Sequence, residues 1–127
     1  METVVIKILR IILIGFYLFA GSYHFINPEF YSDLIPDYLP FHSAINYLSG
    51  FLEIVFGIGV AFPKTRMFAA KGIIVLLILF IPSHVDFILK GSCVESAFCV
   101  SPWIAWLRLL IIHPILIYWA WSIRKTS

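Results

Sequence analysis

The sequence predicts an all-α integral membrane protein: a four-helix bundle with its N and C termini cytoplasmic. Three observations carry this. Of the 127 residues, 61% are hydrophobic and 13% charged, with a mean hydropathy of +0.98. A soluble domain carries about 25% charged residues, so this much apolar surface has to meet lipid. Second, the apolar residues fall into runs long enough to cross a membrane, which takes about 20 residues each. Third, the cations segregate. Lys7, Arg10, Lys64, Arg66, Lys71, Arg124 and Lys125 gather at one end, while Lys90 stands at the other among Glu29, Asp33, Asp37, Asp86 and Glu95. Positive-inside reasoning puts the cation-rich end, and with it both termini, in the cytoplasm, which requires an even number of crossings. Four fits. The 27–40 and 90–101 loops then lie on the outer side of a plasma or inner membrane.

The elements follow in order within a single domain, 1–127. The first helix is expected over 3–26. Its charged start and apolar core also fit a cleaved leader with Ala20-Gly21-Ser22 as a poor cleavage region, but the run is long enough to span. Arg10, Tyr17, Gly21 and His24 fall on one side of it as a polar stripe. Residues 27–40 hold Pro28, Pro36 and Pro40 among aromatics and acids, which suits an interfacial loop or a short surface helix. The second helix is expected over 41–62, with Pro40 at its start. After the turn Pro63-Lys64-Thr65-Arg66, the third runs over 66–89, kinked by Pro82, which removes the usual donor to the Ile78 carbonyl. Pro102 opens the fourth, 102–122. Trp103 and Trp106 lie at one end of it, Trp119 and Trp121 at the other. Trp103 to Trp121 is 18 steps, about 27 Å, the hydrocarbon thickness, so the tryptophans read as two interfacial belts.

The chemistry gathers around Ser49–Gly57. Glu53 places a carboxylate inside an apolar run, and Asn46, Gly50 and Gly57 share its helical face. A charge at bilayer depth must face the bundle interior and find a partner, and glycines let a neighbouring helix approach closely. Depth counting places His24, His84 and Asp86 near the outer ends of their helices. Arg108 lies about two turns in from the outer end, and Glu53 and His113 lie near the midplane. These six form a candidate pocket opening outward. Arg108 is the expected partner of Glu53, since arginine is the natural counter-ion of a buried carboxylate. His113 lies five residues after Arg108, roughly 140° around an α-helix, so the two need not share a site, and His113 reads first as a packing histidine. His84 and Asp86 diverge, and with His24 they match no metal motif, so no metal is assigned.

Cys93 and Cys99 share the outer loop. They read as a structural disulfide, or as a redox pair exchanging with a partner thiol or a quinone. The spacing is not C-x-x-C, and two cysteines in one short loop can also remain free.

In order and spacing, His24-Phe25, Pro28, Phe30, Pro36, Pro40, Ser49-Gly50-x-x-Glu53-x-x-x-Gly57, Pro63, Arg66, Pro82 and Leu107-Arg108-Leu109 resemble the DoxX family of small four-helix membrane proteins. One departure is Ile111, Ile112 and His113, where family members often show a glutamine shortly after the arginine. The resemblance implies a membrane four-helix bundle and points two ways in function. The family name comes from a subunit of an archaeal thiosulfate:quinone oxidoreductase, while a more distant likeness is to NACHO, an assembly chaperone of nicotinic acetylcholine receptors.

Three functions compete. The first is a redox-linked subunit that holds a quinone or another lipophilic molecule in the pocket. The second is a non-enzymatic assembly factor for a client membrane protein, favoured by the lack of nucleotide, haem or flavin motifs. The third is a small proton-coupled transporter, ranked last because no inverted repeat is visible. The net charge of +2 is too small and scattered to suggest nucleic acid. The sequence leaves open whether the chain is an enzyme and whether it forms a homo-oligomer.

Overall fold

A computed structural model describes residues 3–94 and 97–125; Glu95, counted above among the loop acids, lies outside them. Four helical spans emerge: Val4–Ile26, His42–Ala61, Arg66–Leu89 and Pro102–Ser122, each long and apolar enough to cross a membrane. The first is α1, Val4–Ile26. Thr3 caps it by accepting a hydrogen bond from the Ile6 amide at 3.2 Å. Its buried residues, Arg10, Leu13, Tyr17, Gly21 and His24, recur every three or four positions and include the whole polar stripe. A short helix, α2 (Pro28–Ser32), follows in the loop. The second span is α3, His42–Ala61, in which Asn46, Gly50, Glu53 and Gly57 are buried on one face.

The third span is broken. It consists of α4 (Arg66–Leu79) and α5 (Ile81–Leu89), with Phe80 between them. Pro82 cannot donate to a carbonyl one turn back, and its ring crowds that carbonyl, so the chain starts a new helix in which Pro82 occupies the first turn. Beyond α5, β1 (Cys93–Val94) and β2 (Phe98–Cys99) form a small antiparallel hairpin, with Cys93 opposite Cys99 and Val94 opposite Phe98.

The fourth span is interrupted in a way that the sequence reading did not anticipate. α6 (Pro102–Leu107) passes into a π-helical turn, Arg108–Ile112, before α7 (His113–Ser122). The His113 amide bonds back to the Arg108 carbonyl, five residues away. Pro114 has no N–H to continue an α ladder and its ring needs room, and a widened turn supplies that room.

The spans pack in chain order: α1 along α3, α3 against α4, and α4 against α7. The end of the bundle where α1 begins and α7 finishes, the terminal end, closes tightly. Leu13, Tyr17, Val60, Ala69, Ala70, Ile73, Leu77, Ala120 and Ile123 form its apolar core. Two arginines bolt it through carbonyls at helix C-termini, which run short of donors and carry partial negative charge. Arg10 donates to the carbonyls of Ile123 (3.2 Å) and Lys125 (3.0 Å). Arg66 donates to those of Val60 (2.8 Å) and Ala61 (3.2 Å). Trp119 joins them, its indole N–H reaching the Leu9 carbonyl at 3.0 Å, so it ties two helices together.

The opposite, hairpin end is looser. Among the described residues α1 does not pack against α6 there, nor α3 against α5. At this end α1 and α3 approach each other closely. A Cβ on Gly50 would lie 2.6 Å from His24 Cβ, and one on Gly21 would lie 2.6 Å from the Gly50 carbonyl oxygen. Only glycine lets these backbones approach so closely.

Candidate functional site

The gap left at the hairpin end is a cavity of about 480 Å³, within the range of about 300–1,000 Å³ usual for small-molecule sites. Phe16, Leu52, Leu76 and Leu116 form apolar walls, and His24, Glu53, His84, Arg108 and His113 all line it. Five of the six predicted pocket residues therefore meet. The sixth does not. Asp86 turns out of the cavity to Lys90, with Oδ2 at 3.0 Å from Nζ, one helical turn on. Lys90 also reaches Asp37 at 3.5 Å. The hydrogen bond that Lys90 donates to Asp86, with both carboxylates nearby, holds its ammonium above the usual lysine range.

The expected pair of Glu53 and Arg108 does not form. Glu53 Oε1 lies 3.5 Å from His24 Nε2 instead, with both side chains buried. Helical side chains lean towards their own N-terminus. α1 and α3 are antiparallel, so His24 leans inward, Glu53 leans towards the hairpin end, and they converge where glycines bring the backbones together. Arg108 leans away. It lies about 9 Å into its span and Glu53 about 16 Å into its own, at 1.5 Å per residue, and the α6 N-terminus is at the hairpin end. The guanidinium accordingly rises between two rings, 5.0 Å from the Phe87 centroid and 5.2 Å from that of Phe98. Such contacts give about 0.5–2 kcal/mol each. Withdrawing an ion from water costs several kcal/mol. The rings alone do not settle Arg108, and no carboxylate pairs with it among the described residues.

Asn46, predicted as a packing residue, has a polar role too. Its amide N–H donates to the His24 carbonyl at 3.0 Å, so its Oδ1, 2.8 Å from His24 Nδ1, accepts from that ring nitrogen. Gly57 is less tightly packed than Gly50. A Cβ on Gly57 would already be 3.4 Å from Tyr17 Cβ.

His113 is both satisfied and exposed to the cavity. Its Nε2 donates to the Leu77 carbonyl, near the end of α4 where carbonyls lack helical donors, and its ring meets His84 edge-on at 4.8 Å. The 140° separation of Arg108 and His113 assumed an α-helix. In the π turn, residues five apart stack, so both face the cavity.

Two loops cover the hairpin end, so the pocket expected to open outward is roofed. Tyr31 stacks on His24 with centroids 3.6 Å apart, Ile35 and Pro36 are buried, and Phe98 packs on Phe30 and Phe87. Burial, reinforced by the charge of Glu53, raises the Tyr31 phenol to about 12. Sequence reasoning missed Tyr31 and Tyr17; tyrosine in an aromatic loop or on a helical stripe carries no distinctive signal. Cys93 and Cys99 are joined by a disulfide across the hairpin. Among the described residues no three His, Cys, Asp or Glu side chains cluster as metal ligands. A second hollow, lined by Lys71, Ile74, Pro114 and Tyr118 on the outside of the bundle, is apolar and lacks convergent polar groups.

Four helices long and apolar enough to cross a membrane, packed around an apolar-walled cavity that a few polar groups enter, define the class, a helical bundle of the multi-pass membrane type. Residues 13–124 match the family model described as Domain of unknown function (DUF8561), and the chain belongs to that family. No curated protein and no solved structure gives a match.

Proposed function

We propose that the protein spans a plasma or inner membrane with both termini cytoplasmic, and that its cavity binds a lipophilic molecule through a hydrogen-bonding head, quinones being one such class. One observation carries this reading. Tyr17 Oη, Glu53 Oε2, His84 Nδ1 and Arg108 Nε are buried without a hydrogen-bond partner in the protein, and all four residues line the same cavity. An unmet buried polar atom costs about 1–3 kcal/mol, so four around one apolar-walled space favour a ligand with a hydrogen-bonding head. The segregated cations support the orientation, and a disulfide at the other end suits an oxidising compartment. The likeness to DoxX proteins, together with the contact of Phe98 in the disulfide hairpin with Arg108, favours a second reading in which the ligand is a quinone and the protein a redox-linked subunit.

The test is thermal unfolding of the purified chain with short-chain benzoquinones and long-chain alcohols. Ligand at a hundredfold excess over Kd stabilises by about 2.7 kcal/mol, a clear rise in melting temperature. Flat melting curves with every lipophile tried, disulfide intact or reduced, would refute the proposal.

A further inference from the structure

Resting on the reading of the cavity as a ligand site, we infer that its occupant is an anionic amphiphile, with an acidic head held by Arg108 and an apolar chain lying between the spans. The argument begins with proton counting at His24. Asn46 Oδ1 is an acceptor, because the amide nitrogen of the same side chain is committed to the His24 carbonyl; His24 Nδ1 therefore carries a proton. That leaves His24 Nε2 facing Glu53 Oε1. Two bare lone pairs would repel each other, so one further proton lies between them, on the imidazole or on the carboxyl. In either case the pair is neutral overall. Asp86 is already matched to Lys90 outside the cavity. His84, His113, Tyr17 and Tyr31, the other titratable groups lining the space, supply no negative charge. Among the described residues, Arg108 is then the uncompensated charge of the cavity, with its Nε unmatched.

A planar guanidinium in a low-dielectric site is matched best by a carboxylate or phosphate, which it holds through two parallel hydrogen bonds. The rest of the cavity asks for hydrocarbon. Leu48, Leu79 and Phe16 line it yet remain 58%, 65% and 43% exposed on the lipid-facing flanks, where α3 does not meet α5 and α1 does not meet α6. With Tyr31, Pro36 and Phe98 over the hairpin end, the sides are the way in, and an acyl chain arrives through them from the bilayer.

The experiment measures binding of radiolabelled oleate to the full chain in phosphatidylcholine nanodiscs, with empty discs as the blank. Competitors are oleyl alcohol, acetate and phosphatidylglycerol. Oleate is expected to bind at least tenfold more tightly than oleyl alcohol, the scale of one charge-assisted hydrogen bond, and acetate is expected not to compete. Competition by phosphatidylglycerol would support the acidic head and name a membrane lipid as its source; its failure to compete would support a free carboxylate. Arg108→Met should abolish the preference for oleate over oleyl alcohol, and Arg108→Lys should retain part of it. Equal affinity of wild type for oleate and oleyl alcohol would overturn the inference and leave the cavity a neutral-lipophile site. Binding of neither would overturn both.

Discussion

The revised partner of Glu53 gives the sharpest prediction. Glu53 and His24 are both 4% exposed, and their nearest charged atoms are 3.5 Å apart. Removing one member of a buried pair costs about 3–5 kcal/mol when the other is left charged and unmet. His24→Leu should lie in that range, since it also strips Asn46 of its ring contact. Glu53→Gln should cost less, about 1–3 kcal/mol, because the glutamine amide N–H can donate to the bare Nε2 of a neutral His24. The double variant should fall short of the sum by about 1–3 kcal/mol, the coupling of side chains in direct contact. The parallel cycle of Glu53→Gln with Arg108→Met should be additive to about 0.5 kcal/mol, as expected of side chains that do not touch. Both cycles are read from unfolding in mixed micelles on titration with sodium dodecyl sulfate, followed by circular dichroism. Additivity in the His24 cycle, or strong coupling in the Arg108 cycle, would refute the pairing described here.

Three further outcomes follow from the geometry. Gly50→Ala should destabilise by about 1–3 kcal/mol through overpacking against His24 and Gly21, whereas Gly15→Ala, with nothing within 4 Å of the added carbon, should be neutral or slightly stabilising; melting temperatures in detergent compare them. Pro114→Ala restores a backbone donor and permits the π turn to revert to α, turning Arg108 by about 100° relative to His113. It should leave the melting temperature unchanged or raised while lowering ligand binding. Tyr31 ionises at about 12 in the fold against 10 when unfolded. Its contribution is therefore complete below pH 10 and is lost as pH rises through 12. Alkaline unfolding should show this loss, and Tyr31→Phe should remove it.

The spans were legible because membrane crossing is a demand on length and composition that no tertiary packing overrides. The helices expected over 3–26, 41–62, 66–89 and 102–122 differ from those observed by a residue or so at the ends, with added breaks at Phe80 and in the π turn. Membership of the cavity was legible for a related reason. Ionisable side chains at depth have to face inward, so His24, Glu53, His84, Arg108 and His113 could be gathered without knowing how the helices touch. Asp86 escaped this logic. Near a span end, it had a lysine one turn away with which to leave.

Pairing was not legible, because charge type says which groups attract and not which helices adjoin. The missing information lay in Gly21 rather than in any charge. A small residue on the buried stripe of α1, opposite the glycines of α3, permits a close approach of these two backbones. Once α1 lies there, the lean of its side chains brings His24 to Glu53 before Arg108 can reach it. Pro114 adds the second constraint, widening the fourth span so that Arg108 and His113 share a face. An arginine displaced from its natural counter-ion by a histidine, and kept in the cavity by a π turn, is a costly arrangement for a bundle that only has to stay folded. A Glu53–Arg108 pair would have closed the electrostatics inside the protein. The chain instead spends one carboxylate on a histidine and leaves the guanidinium facing an apolar-walled space, the arrangement on which the inference of an acidic occupant rests.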